Sequence, residues 1–198
     1  MKLPTLLALL VLTSAFDSNA VHRADRLELD PKAIPRVFSL SKKPALSATF
    51  SETDCKAFLL KKSGQRVGMV CASSNKEFLT DFGVSSEVGN GDVFAGAPES
   101  NRQLQIATGS SMYPMGSTVL NGLTVYAADV DCDERNEANY KPTATCQVMV
   151  ALLGQGRFLY SNFVIEDNVT HTPRARKADI IRLWNHLTLS YKHRAAGS

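Results

Sequence analysis

Long apolar runs are scarce in this chain. Past residue 20 no stretch approaches the ~20 consecutive apolar residues that a membrane-spanning helix needs, so no span is expected. Catalytic signatures are missing as well. There is no Gly-x-Ser-x-Gly elbow of a serine hydrolase, no His-Glu-x-x-His pair and no Gly-rich loop that would cradle a phosphate. Two Ser-x-x-Lys matches, Ser39 with Lys42 and Ser73 with Lys76, have no Lys-Thr-Gly to accompany them. The histidines, His22, His171, His186 and His193, fall in no metal-binding pattern. Closely spaced Cys-x₂₋₄-Cys pairs, which a zinc site wants, are absent. Asp129, Asp131 and Asp133 alternate as calcium ligands do, but Glu134 and Tyr140 occupy the positions where a helix–loop–helix site needs Gly and Glu. That leaves a looser calcium site or, by default, a solvated acidic hairpin tip; no cofactor is expected. Charge of one sign is not in excess either. Lys and Arg number 22 against 19 Asp and Glu, a net charge of +3, which permits an acidic partner without requiring one.

What is present begins with the leader. Lys2, the apolar run Leu6-Leu7-Ala8-Leu9-Leu10-Val11-Leu12 and the small polar stretch ending Ser18-Asn19-Ala20 have the layout of a secretory signal peptide. Cleavage after Ala20 is expected, with the mature protein starting at Val21. Residues 21–45, polar and broken by Pro31, Pro35 and Pro44, are expected to form an irregular N-terminal arm. Residues 46–191 are the size of one globular α+β domain, and residues 192–198 are expected to be a flexible tail.

The centre of that domain is residues 121–165. Asn121-Gly122 separates two β-type runs as a two-residue type I′ turn does. Residues 146–153 and 157–165 read as two further strands joined at Gly154-Gln155-Gly156. Four consecutive antiparallel strands follow. Four cysteines in an exported chain suggest two disulfides, and the spacing selects a pairing. Cys55 and Cys71 lie symmetrically about Ser63, in a segment that reads as a hairpin turning at Ser63-Gly64. Cys132 and Cys146 bracket residues 133–145 in the same manner. Each bridge closes a loop of about 15 residues, on the order of 3 kcal/mol by loop-closure entropy.

Between these hairpins, residues 46–50 are read as an edge strand and residues 75–82 as a short helix stopped by Gly83. Asn90-Gly91 is a second hairpin signal, and a short strand is expected near residues 104–107. Pro98, Gly109, Pro114 and Gly116 mark the surrounding passage as loop. Thr172-Pro173 reads as the start of a C-terminal helix, in which Ile180, Leu183, Trp184 and Leu187 form one apolar stripe. The expected fold is therefore α+β: an antiparallel β-meander stapled by two disulfides, with a C-terminal amphipathic helix packed on the sheet.

Candidate functional residues cluster near that helix. Arg174, Arg176, Lys177 and Arg182, with Lys192 and Arg194 beyond them, have only Asp179 as a nearby counter-charge in the sequence. Cations in a first helical turn cost about 0.3–1 kcal/mol each against the macrodipole. Two readings follow. Either the helix starts later, near Ala178, and the cations are solvated loop residues, or the cluster is kept for an acidic partner. Tyr191 alone lies near as an aromatic, so an acidic protein surface is favoured over nucleic acid. Asn168-Val169-Thr170 is an N-glycosylation acceptor, relevant in a eukaryotic host. Glu166 with His171, at a strand end, is the conceivable acid/base pair. A ribonuclease-like sheet site would carry its histidines on strands and its helix ahead of the sheet, and neither holds here.

In layout (leader, one orphan domain, two disulfides, no catalytic motif) the chain resembles the small secreted effector proteins of plant-associated fungi and oomycetes. The likeness is to a class: the Arg-x-Leu-Arg signature of one large oomycete group is missing, and Arg23-Ala24-Asp25-Arg26-Leu27 is only superficially similar. The resemblance implies a secreted, non-enzymatic protein that binds and redirects a host target; a monomer is expected. A bacterial periplasmic inhibitor or immunity protein would share the layout, and a secreted hydrolase or ribonuclease-like enzyme of another family comes third.

Overall fold

The computed structural model describes residues 26–46, 50–86, 91–94, 103–109, 111–132 and 143–195. The leader, Ser47 to Thr49, Val88, Asn90, Pro98 and residues 133–142 lie outside the described residues. In chain order the elements are β1 (Phe38–Leu40), β2 (Thr53–Leu60), β3 (Arg66–Ser73), α1 (Lys76–Asp81), β4 (Val84–Ser86), β5 (Leu104–Thr108), β6 (Ser111–Leu120), β7 (Leu123–Cys132), β8 (Ala144–Gly154), β9 (Arg157–Asp167), β10 (Thr172–Pro173) and α2 (Lys177–Ala195). All ladders are antiparallel, in the order β1-β2-β3-β9-β8-β7-β6-β5-β4, with β10 beside β9.

Two walks meet in the middle. The chain lays down β1 to β3, crosses through α1 to the far end of the sheet, and returns strand by strand until β9 docks on β3. Two-residue turns explain two steps of the return, β6 to β7 and β8 to β9. Asn121 and Gly122 both have positive φ (52° and 85°), the type I′ geometry that matches strand twist. Gln155 and Gly156 repeat it, with φ of 54° and 75°. The central strands are buried on both faces, so they read as nearly continuous apolar runs. Cys146, Val148, Val150, Phe158 and Tyr160 face one core, which α1, β4 and β5 close from the far side. Met149, Ala151, Leu159 and Phe163 face the other, against the Ile180, Leu183, Trp184 and Leu187 stripe of α2. Trp184 donates its indole N–H to Ser161 on β9, 2.8 Å away and fully buried.

Both disulfides form as the spacing predicts, Cys55–Cys71 with Cα atoms 4.1 Å apart and Cys132–Cys146 with 5.8 Å. Cys55 sits directly opposite Cys71 in the β2–β3 ladder. Cys132 faces Ala144, so its bond to Cys146 runs diagonally across β7 and β8. The α1 prediction also holds, with the Asn75 side chain accepting from the Glu77 N–H as N-cap.

Four expectations change. Leu46 and Phe50 are not in a strand; the edge strand is β1, inside the segment expected to be an irregular arm. That segment is packed, with Leu27, Phe38 and Ala45 all buried. Pro114 and Gly116 lie within a strand and not in a loop. The last helix begins at Lys177 rather than at Thr172-Pro173 and runs to Ala195, past the start of the expected tail.

Candidate functional site

The late start of α2 rearranges the expected cation cluster. After β9 the chain turns tightly at residues 168–171, because the Asp167 carboxylate accepts from the backbone N–H groups of Val169 and Thr170 (3.1 and 2.9 Å). It then runs back along β9. Thr172 and Pro173 pair with Asp167 and Glu166, and the N–H groups of Arg174 and Ala175 donate to Ile165 and Val164. An extended segment bonded in this way cannot coil, so helical turns begin only when the Arg176 carbonyl accepts from Asp179 and Ile180.

Arg174 is thereby taken out of the surface cluster. Its guanidinium is largely buried and bonds both Asp167 and Gln65, tying β10 to the turn between β2 and β3. Lys177 pairs with Asp129 on β7. Arg176 and Arg182 converge on one carboxylate: Asp179 accepts from Arg176 Nε at 2.9 Å and from Arg182 at 3.3 Å. The Asp179 side chain is only 2% exposed, whereas the two arginine side chains are 72% and 70% exposed. The buried acid lies in the first helical turn, where the macrodipole favours an anion. Around it stand two guanidinium groups, positioned but open to solvent, with a net charge of one positive unit. Fixed planar donors of this kind suit carboxylate or phosphate groups on a partner.

Asp167 is the other carboxylate strongly shaped by its surroundings. The Thr170 backbone N–H, then Arg174, lower its pKa to about 2, against a smaller opposing effect of desolvation. Burial pushes the Tyr160 phenol well above its ordinary value.

The remaining sequence candidates separate. His171 and Glu166 come together at 3.7 Å, yet both are solvent-exposed, His171 on the β9–β10 turn and Glu166 near the end of β9, where nothing excludes water from the pair. Asp131 accepts from the Tyr113 hydroxyl at 2.8 Å. Among the described residues no group of three His, Cys, Asp or Glu side chains converges as metal ligands do. Asn168 is part of the exposed turn, with its amide oxygen held by the Thr145 hydroxyl at 3.0 Å. Sequence reading missed Asp129 and Asp167 as counter-charges, because pairing across strands carries no local signal. The placement of Asp179 three residues from both arginines was legible, since i,i+3 positions share a helix face.

No protein-family model, curated protein or solved structure matches the chain. Among the described residues no helix is long and apolar enough to cross a membrane. Together with two disulfides, that is compatible with an extracellular protein.

Proposed function

We propose that this protein is a secreted interaction domain of the effector type, non-enzymatic, which binds an acidic surface on a host protein. The observation that carries this reading is the exposed Arg176–Arg182 pair held by the buried Asp179 carboxylate. Two side chains with large rotamer freedom are already oriented before a partner arrives, which reduces the ordering cost of binding. The disulfide-stapled sheet beneath supplies the rigid platform. Lys177, half-exposed beside Asp129, extends the same basic face, while Arg174 serves the fold. Asn168, on an exposed turn away from the hydrophobic cores, carries an N-glycan when the protein passes through a eukaryotic secretory pathway.

The test uses Arg182→Gln, because Arg176 still partners Asp179 in that variant. Binding to host extracellular proteins is expected to fall about tenfold, with the wild-type interaction weakening steeply as salt is raised and the melting temperature held. Equal retention of the same partner by wild type and variant, or binding indifferent to salt, overturns the acidic-partner reading. Turnover of RNA, peptidoglycan or generic esters by the purified protein overturns the non-enzymatic one.

A further inference from the structure

Strand β6 is shared between two ladders. Its residues 111–115 pair with β5, and its residues 116–120 pair with β7 on the opposite side. Among the described residues, the second half therefore ends the main sheet with one side unpaired. Counting from Leu120↔Leu123, the closing pair of the two-residue turn, hydrogen-bonded and non-hydrogen-bonded pairs alternate. Ser117 and Val119 fall at the non-hydrogen-bonded positions, so the backbone N–H and C=O of both point away from β7, toward the open edge. Residues 116–119 are all exposed, and Val119 is 67% exposed.

Sheet edges in stable monomers are usually blunted by lysine, proline, a bulge or extreme shortness. The end strands of the sheet are short: β1 has three residues, and β4 has three and bridges onward from Ser86 to Gly91. Among the described residues, the β6 edge has no such protection. From residue 103 to residue 128 the chain contains no Asp, Glu, Lys, Arg or His. The edge is also held firmly. The Asn121 side-chain amide donates to the Asn185 carbonyl (2.7 Å) and to the Thr188 hydroxyl (3.0 Å), fastening the β6–β7 turn to α2. Leu189, one helical turn beyond Asn185, adds an exposed apolar group on that side.

We propose that residues 116–120 are a self-association edge, on which a second copy of this chain pairs antiparallel about a two-fold axis through Thr118. The register is self-complementary. Ser117 then faces Val119 of the second copy and Val119 faces its Ser117, so all the outward groups of those residues are used in four backbone hydrogen bonds. Thr118 meets its own copy at the axis, a favourable cross-strand pair. The two sheets become continuous and both α2 helices lie on the same face. An identical copy suits this edge better than a charged partner does. A neutral edge neither repels its twin nor offers anything to an acidic or basic strand, and an isologous contact needs only one self-matching patch.

Sedimentation across a concentration series is expected to show a monomer–dimer equilibrium. Val119→Lys places a charge on the edge and is expected to weaken association about tenfold or more, with an unchanged melting temperature. Thr118→Cys provides the independent check. Residues facing each other at a non-hydrogen-bonded pair have Cα atoms about 4.5 Å apart, within reach of a disulfide. All four native cysteines are already bonded, so mild oxidation of this variant is expected to give a covalent dimer quickly. Val169→Cys, also exposed but on the β9–β10 turn, gives it only slowly. A wild-type protein that stays monomeric at every concentration, a dimer insensitive to Val119→Lys, or equal cross-linking by the two cysteine variants overturns the proposal.

Discussion

Asp167 shows how one side chain sets the course of the chain. It accepts from two backbone N–H groups and from Arg174, so the turn at residues 168–171 and the retreat along β9 both depend on its charge. Its folded pKa of about 2 lies below the ordinary 3.8. A group depressed in this way stabilises the fold above its unfolded value, and that stability is lost as pH falls toward the folded value. The expected outcome is a decline in stability between about pH 4 and about pH 2 that Asp167→Asn flattens. Urea unfolding at both ends of that window, followed by the fluorescence of the single tryptophan, checks it. An unchanged decline in the variant means other carboxylates dominate the acid limb. Arg174 illustrates the limit of reading charge from sequence. Its counter-ion is seven residues back, which looks remote until the chain doubles over.

At the scale of elements, the errors and successes have a common cause. Turns with strict backbone demands were legible: Asn121-Gly122 and the Gly154-Gln155-Gly156 corner use residues that few alternatives replace. Elements defined by what lies beside them were not. Pro114 ordinarily breaks a strand, yet here it pairs with Gln105 at a non-hydrogen-bonded position and precedes the β7 ladder, so no bond needs its missing N–H. Thr172-Pro173 has the chemistry of a helix start, but backbone bonds to β9 hold it extended. Gly83 was legible as a helix stop; the structure adds a second constraint. Its φ is +76°, and a Cβ there would come 2.2 Å from the Ala107 carbonyl oxygen, a backbone atom that cannot swing away. Gly83→Ala is therefore expected to destabilise the protein by about 2 kcal/mol or more. The drop should appear as a lower urea midpoint with an unchanged slope. A loss under about 0.5 kcal/mol would show that β5 can shift aside.

The molecule as a whole depends on a single seam. β3 meets β9 through residues 68–73 and 158–163, which are far apart in sequence, and neither disulfide crosses that line. Cys55–Cys71 lies within the first arm and Cys132–Cys146 within the second, so each limits its own hairpin without joining the arms. What spans the seam is the β3–β9 ladder, the Arg174–Gln65 hydrogen bond and packing. Trp184 sits over Ser161, whose neighbours on either side are Val70 and Met149, so its fluorescence reports whether the arms are docked. Removing one disulfide, as in Cys55→Ala with Cys71→Ala, is expected to cost about 3 kcal/mol, because it frees a loop of about that length in the unfolded chain. The more telling quantity is how the loss is distributed. If the two arms share one cooperative unit, Trp184 fluorescence and far-ultraviolet circular dichroism fall together at the new midpoint. A fluorescence transition that precedes the loss of β signal in the double variant would mean that the first arm leaves the seam while β6 to β9 remain folded, and that the staple acts on one arm alone.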